Sequence, residues 1–168
     1  MQSKKVSSAG NQQERLAIEN WIVGFADGEG CFTVSLIKNK TTKSGWQVFP
    51  EFVVTQGAKS ITALQLIQKY FQCGNIFINN RKDNHREPLY RYCVRSIDEL
   101  QTKIIPFFSR NKLRTAKAND FKIFASIVRM FSKKAHLSKK GMQTIAKLIE
   151  TMNLRKKSRF LESSETTR

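Results

Sequence analysis

The sequence predicts an α+β protein built around one four-stranded antiparallel sheet. Apolar and polar residues alternate in four segments, and these segments come in two pairs. A segment whose apolar residues have helical spacing precedes the first pair, and further helical segments follow each pair. Glycines and polar loops separate the segments, which gives the order α-β-β-α-β-β-α-α-α.

The first predicted helix covers residues 14–27. Apolar residues surround most of its circumference, which indicates a buried helix. Gly28 and Gly30 follow directly and end the helix. Residues 1–13 are polar and contain no apolar stretch of the kind found in secretory signals, so we expect a flexible leader.

The first hairpin is predicted from strands at 31–37 and 46–56, and the second from strands at 75–80 and 90–94. Pro50 lies inside the second strand. It indicates an irregularity or an edge position, because proline donates no hydrogen bond to a sheet.

Serines predict the starts of three later helices, because a serine hydroxyl can accept a hydrogen bond from the first helical turn. They are Ser60, Ser96 and Ser138, and Glu99 completes a capping box with Ser96. The later helices are predicted at 60–71, 96–108, 116–132 and 138–153. We therefore expect one domain at 14–154, followed by a basic and polar tail at 155–168.

The chain is strongly basic, since 30 lysines and arginines against 13 aspartates and glutamates give a net charge of +17. Nucleic acid is the expected partner, because cations that neutralise phosphates release counterions. An anionic membrane would require the cations on one amphipathic helix, whereas here they are spread along the chain, so no membrane partner is expected. A basic surface that serves only solubility is the alternative.

No apolar run reaches the ~18 residues that span a bilayer. The three cysteines, Cys31, Cys73 and Cys93, are odd in number and widely spaced. They fit neither a disulfide framework nor a C-x-x-C metal site. This pattern favours an intracellular location, in an organelle or in a prokaryotic cytoplasm.

The end of the first helix departs from the usual pattern of helix ends. Asp27 and Glu29 lie where the helix dipole disfavours negative charge, and such a departure often marks a functional site. Gly24 and Gly28 are four residues apart on one helical face, which would let two helices approach closely. Because the motif occurs once, we expect a symmetric homodimer packed along this helix. The expected interface residues are Ile22, Val23, Gly24, Ala26 and Asp27.

Two-fold symmetry would bring two copies of Glu29 close together. Clustered carboxylates favour a bound cation, and hard divalent ions such as Mg²⁺ prefer oxygen ligands. Metals shared by acids and phosphates are a common solution for phosphodiester hydrolysis. An acid beside a glycine that only caps a turn is the alternative interpretation of Glu29.

Residues 22–30 resemble the LAGLIDADG motif, with Gly24, Asp27, Gly28, Glu29 and Gly30 in the family's positions. Further similar segments lie at 52–56, 105–108, 113–115, 136–138 and 152–153. The resemblance covers about residues 16–155. It implies the αββαββα homing-endonuclease fold with a four-stranded DNA-binding saddle, and homodimers that cut long, nearly palindromic sites. It further implies Mg²⁺ dependence, short 3′ overhangs and an origin in an intron or intein, with Mn²⁺ or Ca²⁺ as other ions for the site.

The resemblance also implies roles for single residues. Glu29 takes the position of the metal-binding acid, and Gly28 would offer its backbone carbonyl to the same metal. Asp27 matches an acid that mainly caps the partner helix, so a structural role is expected.

Other positions of the resemblance concern solvent and charge at the scissile phosphate. Gln56 matches the residue that positions solvent, and Arg114 or Lys117 matches the cation that polarises the phosphate. Lys59 or Ser60 falls where other members place a further basic or polar residue of the solvent network.

Alternate residues of each predicted strand share one face, and such a face can read bases in the major groove. Arg91 and Arg95 are candidates for reading guanine, and Gln47 and Asn79 for reading adenine. The other candidates on this face are Thr33, Ser35, Ile37, Asn39, Phe49, Glu51, Val53, Asn75, Phe77 and Arg81. Lys139 and Lys140 are expected to bind phosphates. A solvated sheet face is the alternative for each position.

The main interpretation is a site-specific homing endonuclease that makes a metal-dependent double-strand break in double-stranded DNA. An alternative with the same fold is an RNA maturase, with intron RNA as its partner, or a DNA-binding protein that does not cut. A basic structural protein is a third hypothesis, which would show neither sequence preference nor a discrete dimer.

Overall fold

The computed structural model describes residues 3–42, 44–79, 87–152 and 160. Four strands form one antiparallel sheet, as the sequence predicts: β1 (Gly30–Lys38), β2 (Trp46–Gly57), β3 (Asn75–Asn79) and β4 (Leu89–Val94). The helices are α1 (Ser3–Glu29), α2 (Ile61–Phe71), α3 (Ile97–Glu99), α4 (Ile105–Arg110), α5 (Lys117–Ser132) and α6 (Lys139–Glu150). The predicted α+β class is therefore confirmed.

The strands lie in the order β1-β2-β4-β3, so the two hairpins meet where β2 pairs with β4. Pairing of β2 with β4 begins at Phe52, whereas pairing of β2 with β1 begins at Trp46. Pro50 therefore lies in the part of β2 that has one neighbouring strand, which confirms the expected edge position.

Phe32 of β1 lies at the centre of the core and is 1% exposed. Its ring centroid is 4.9 Å from that of Phe52 in β2 and 5.2 Å from that of Phe108 in α4. The rings of Phe121 and Phe124 in α5 lie at 5.1 and 5.4 Å. Packing of these rings fixes α4 and α5 against one face of the sheet and leaves the opposite face of the sheet open.

Helix α1 begins at Ser3, so the predicted start at residue 14 is wrong and most of the expected leader continues the helix. The segment contains no proline and is rich in residues compatible with a helix, so nothing in it stops the helix. The helix ends at Glu29 and β1 starts directly at Gly30. A Cβ atom at Gly30 would lie 2.8 Å from the carbonyl oxygen of Ala26, so this sharp junction requires glycine.

A buried carboxylate fastens α1 to α2. Glu19 is 8% exposed and accepts hydrogen bonds from the Tyr70 hydroxyl at 2.6 Å and from Nε of Arg15 at 3.0 Å. The bond from Tyr70 is the main cause that lowers the pKa of Glu19, so the group is charged at neutral pH. The middle of α1 is thereby held in place before the helix reaches its C-terminal end.

Two of the three predicted caps are present: the Ser96 hydroxyl accepts from the Glu99 N–H, and the Ser138 hydroxyl accepts from the Gly141 N–H. Ser60 makes no cap hydrogen bond, because it ends a short 3₁₀ turn. A π-helical segment separates α3 from α4 within the predicted helix at 96–108. Among the described residues, no helix is both long and apolar enough to cross a membrane.

The proposed domain limits remain predictions. Most of the tail at 155–168 lies outside the described residues. Phe160 is described, and its ring meets the edge of Trp46 at a centroid distance of 5.8 Å.

Candidate functional site

The C-terminal end of α1 is held by a lysine from a distant part of the chain. Helix α1 has no basic residue in its own last turn, although its terminal carbonyls carry partial negative charge. Lys117, at the start of α5, donates from Nζ to the Gly28 carbonyl at 2.7 Å and to the Ala26 carbonyl at 3.3 Å. The ammonium thus binds the carbonyl of the residue directly before Glu29, and Glu29 is the exposed last residue of α1.

Asp27 links the end of α1 to the segment that leads into α5. Its carboxylate accepts from the backbone N–H groups of Arg114 at 2.6 Å and Thr115 at 3.2 Å, and from the Thr115 hydroxyl at 2.7 Å. Burial alone would raise the pKa of Asp27, but these hydrogen bonds outweigh it and lower the pKa. In the described chain Asp27 therefore caps a segment of its own chain, rather than the expected helix of a partner.

The two candidate cations have different positions. Arg114 contributes its backbone N–H to Asp27, and its residue is exposed. Lys117 directs its charged group onto the last turn of α1. The structure therefore brings Lys117, and not the side chain of Arg114, into contact with the motif.

Gln56 lies at the same end of the sheet as the motif. Gly30 of β1 pairs with Val54 of β2, so Gln56 extends two residues beyond this pair, toward the level of Gly28. It is half-buried.

Lys59, three residues after Gln56, donates its backbone N–H to the Glu87 carboxylate at 3.2 Å, and Ser60 is exposed on the 3₁₀ turn.

The open face of the sheet carries most of the predicted base-reading residues. They are Thr33, Ser35, Ile37, Gln47, Phe49, Glu51, Val53, Asn75, Phe77, Asn79 and Arg91. Glu51 and Val53 are only 7% and 8% exposed, which is less than expected for side chains that touch bases directly. Arg91 and Arg95 bind the Glu51 carboxylate, and Val53 lies between Cys31 and Cys93 in the sheet. Arg81 lies outside the described residues.

Several of these side chains contact one another. Nδ2 of Asn39, which follows the end of β1, donates to Oε1 of Gln47 at 3.0 Å. Arg91 and Arg95 both donate to the Glu51 carboxylate. The open face therefore contains pre-formed polar groups rather than independent side chains.

Lys139 and Lys140 are exposed in the first turn of α6. Cations are disfavoured at the N-terminal end of a helix, so these lysines do not stabilise α6. Their position leaves both charges available to an anionic partner.

The donor set at the end of α1 suits a hard divalent cation but is incomplete. The Glu29 carboxylate and the Gly28 carbonyl are oxygen ligands of the kind that Mg²⁺ and Ca²⁺ prefer. Within the described residues, no group of three or more His, Cys, Asp or Glu side chains could hold a metal. A metal bound by Glu29 and Gly28 would therefore need further ligands from another source.

The exposed face of α1 differs from the predicted interface. Ile22 and Ala26 are 0% and 1% exposed and pack in the chain's own core, so they are not available to a partner. Val23 is half-buried. Gly24 and Gly28 are exposed, and a Cβ atom added at either would meet nothing within 4 Å.

A family model described as LAGLIDADG endonuclease matches residues 22–128, from the motif on α1 to the middle of α5. The chain belongs to this family. The LAGLIDADG fold is equally clear from solved structures. The homing endonuclease I-TnaI is 36% identical with a TM-score of 0.78, and the match covers 89% of this chain and 97% of that chain.

Longer LAGLIDADG relatives match this chain over part of their length. I-SmaMI, bound to uncleaved target DNA in the presence of calcium ions, is 30% identical with a TM-score of 0.78; the match covers 88% of this chain and 48% of that chain. "Probable intron-encoded endonuclease 3" of Neurospora crassa is 32% identical over 141 residues, which are 83% of this chain and 25% of the relative. The chain therefore spans about a quarter of that relative and about half of I-SmaMI.

We expect Asp27→Asn to lower the free energy of unfolding at neutral pH by about 1–2 kcal/mol, because the hydrogen bonds lose their charged acceptor. Since the pKa of Asp27 is lowered in the folded chain, this stabilisation is complete above the ordinary value of 3.8 and is lost as the pH falls through the folded pKa. Urea unfolding of both proteins at neutral pH and below 3.8 measures the difference, which should shrink in acid.

The matched control is Glu14→Gln, which removes one negative charge from an exposed position of the same helix and should change stability by less than about 0.5 kcal/mol. A difference between Asp27→Asn and wild type that stays constant at both pH values would contradict the prediction.

Proposed function

We propose that this protein is a site-specific, divalent-metal-dependent endonuclease that cuts both strands of a long, pseudo-palindromic DNA site as a homodimer. The observation that carries the proposal is the exposed carboxylate of Glu29, which directly follows the carbonyl that the Lys117 ammonium binds and lies at the edge of an open sheet face. An acid beside a cation on a polyanion-binding surface is suited to phosphodiester hydrolysis. Short 3′ overhangs and a role in intron homing complete the proposal.

Double-stranded DNA is the proposed substrate. The net charge of +17 favours a polyanion, and the open face has the alternation of side chains that base reading requires. DNA-bound I-SmaMI has the same fold over 88% of this chain, which supports the assignment. Intron-encoded relatives support an intracellular site of action, because a homing enzyme acts on the genome.

Glu29 and Gly28 are the proposed ligands of the metal, and the Lys117 ammonium, which binds the Gly28 carbonyl in this structure, would have to loosen that contact to admit the ion. Their oxygen donors fit a hard cation, and the calcium ions in the I-SmaMI complex support a divalent ion; Mg²⁺ is the proposed natural one. When bound, the ion supplies positive charge to the scissile phosphate and acidifies the attacking water. Glu29 would hold the ion at the open edge, and a second copy of Glu29 from the partner would complete the set.

The other residues act on charge and solvent. Lys117 is poised beside the Gly28 carbonyl, so its ammonium can offset negative charge that develops on the phosphate. Gln56 lies at the same end of the sheet and offers an amide that can orient water. In hydrolysis, water attacks the phosphorus and the bond between phosphorus and the 3′ oxygen breaks. The products are a 3′ hydroxyl and a 5′ phosphate.

The exposed glycines of α1 support the proposed homodimer. Gly24 and Gly28 leave open space on the helix face that points away from the core, so a second helix can approach the backbone. Trp21, one helical turn before Gly24, is 37% exposed and stacks on Phe25. Such a partly exposed aromatic residue suits the rim of an interface.

We expect Glu29→Gln to reduce cutting of the cognate site by at least about a hundredfold, because the neutral amide is a poor ligand for a divalent cation. DNA binding should persist, since the removed charge opposes binding. The cognate site is first selected from a randomised duplex library, and cutting is then measured in Mg²⁺ and in EDTA. Cutting at the wild-type rate by Glu29→Gln would refute the assignment, and wild-type binding without cutting would favour the non-cleaving alternative.

Lys117→Met should slow single-turnover cutting by about 10²–10³-fold, because the cation nearest the motif is removed. Arg114→Met removes the same charge but keeps the backbone N–H that Asp27 accepts, so it should slow cutting less than tenfold. Rates for both variants on the selected site decide between the two candidates. A larger loss in Arg114→Met would assign the catalytic cation to Arg114 instead.

Gly24→Leu should convert the dimer to a monomer, because the side chain fills the space proposed for the partner helix. The fold should be kept, since leucine favours a helix and a Cβ atom there meets nothing within 4 Å. Gly10→Leu is the matched control, because Gly10 lies in the same helix and is equally open. Sedimentation equilibrium gives the masses; a wild-type monomer, or a dimer of Gly24→Leu, would contradict the proposal.

A further inference from the structure

A carboxylate lies buried in the middle of the open, basic face. Glu51 is 7% exposed, although it points away from the helices and toward the side proposed for DNA. Each carboxylate oxygen accepts from a different arginine: Oε1 from Nε of Arg95 at 2.6 Å and Oε2 from Nη2 of Arg91 at 3.1 Å. The acid is therefore covered by the two side chains that it binds.

Arg95 is held from further directions. Its guanidinium carbon lies 5.5 Å from the ring centroid of Phe49 in β2 and 5.5 Å from that of Phe77 in β3. Both rings flank β4, which ends directly before Arg95. Cation–π contacts with two strands and a charge-assisted hydrogen bond leave the guanidinium little freedom.

Both arginines keep donors for a ligand. The side chains of Arg91 and Arg95 remain 32% and 44% exposed. Arg95 uses Nε for Glu51, so both of its terminal nitrogens stay available, and these form the pair that a guanine O6 and N7 accept from. The cluster has two positive charges and one negative charge, so its pull on phosphates is weaker than that of two unpaired arginines.

We infer that Glu51 is a positioning residue that holds Arg91 and Arg95 in place to read guanines, and so sets the base specificity of this face. This inference rests on the proposed DNA-binding function and deepens it. Without Glu51 the arginines can swing to the nearest phosphates, which carry no sequence information. A buried acid on a DNA-facing surface thus improves discrimination between DNA sequences, although it weakens the overall electrostatic attraction of this surface to DNA.

The experiment compares wild type with Glu51→Gln and Glu14→Gln. The two substitutions change the net charge by the same amount. Each protein selects sequences from a randomised duplex library by binding in Ca²⁺, and recovered DNA is then tested for cutting in Mg²⁺. We expect wild type and Glu14→Gln to enrich guanine at two positions of each half-site. Glu51→Gln should lose this enrichment at least tenfold, while its affinity for random duplex DNA stays equal or rises.

The salt dependence of random-duplex binding provides a second measurement. A general structural defect would not steepen this dependence. Two released arginines should steepen the slope of log affinity against log salt concentration by up to about 2 for Glu51→Gln, at roughly 0.9 for each phosphate neutralised. Glu14→Gln should leave the slope unchanged.

Phe77→Leu keeps the test informative if Glu51→Gln fails to fold. Phe77 is 45% exposed, so its replacement removes one ring from Arg95 without opening the core. It should weaken guanine enrichment most at the position that Arg95 reads, with a smaller loss at the position of Arg91, which lies opposite Phe77 in the sheet. Unchanged base preferences in the variants that fold would overturn the inference. Binding preferences without any cutting by wild type would instead count against the nuclease function alone, because the selection does not require cleavage.

Discussion

The hydrogen bonds between the Asp27 carboxylate and the segment before α5 determine the geometry of the site. Asp27 is the third-last residue of α1. It accepts from the N–H groups of Arg114 and Thr115, which follow it in the chain by 87 and 88 positions. This link fixes the start of α5 beside the end of α1. Together with the packing of Phe121 and Phe124 on Phe32, this link places Lys117 within reach of the Gly28 carbonyl, so the acid helps to set the position of the cation.

The same region shows how charge is distributed in a very basic chain. Glu19 and Glu51 are the buried charged residues among the described ones, and each is bound by hydrogen-bond donors from more than one part of the fold. Glu29 instead remains exposed at the negative end of a helix dipole, where the cation of the fold, Lys117, binds the backbone carbonyls of the last turn. This exposed position is consistent with the metal-binding role proposed for Glu29.

Much of this arrangement could be predicted from the sequence, because the signals are local. Alternation of apolar residues gave the four strands, and serine caps gave two helix starts. The motif residues could be recognised directly. The start of α1 was missed because a polar segment without proline can be helical or not, and composition does not decide between them. The contacts of Asp27 and Lys117 were missed because they join residues about 90 positions apart. The burial of Glu51 could not be predicted, because the alternation of side chains assigns a residue to one face of the sheet but does not give its depth on that face.

The partial pairing of β2 has a mechanical consequence. Between Trp46 and Glu51 this strand is bonded to β1 alone, so the distal half of the first hairpin extends as a two-stranded ribbon from a four-stranded base. Two-stranded ribbons twist more strongly than wide sheets and resist bending less. The base, which contains Arg91, is paired on both sides of β2, whereas the ribbon is supported by β1 and by side chains such as Val48 that pack into the core. The twist of this surface is therefore expected to increase with distance from the end of α1.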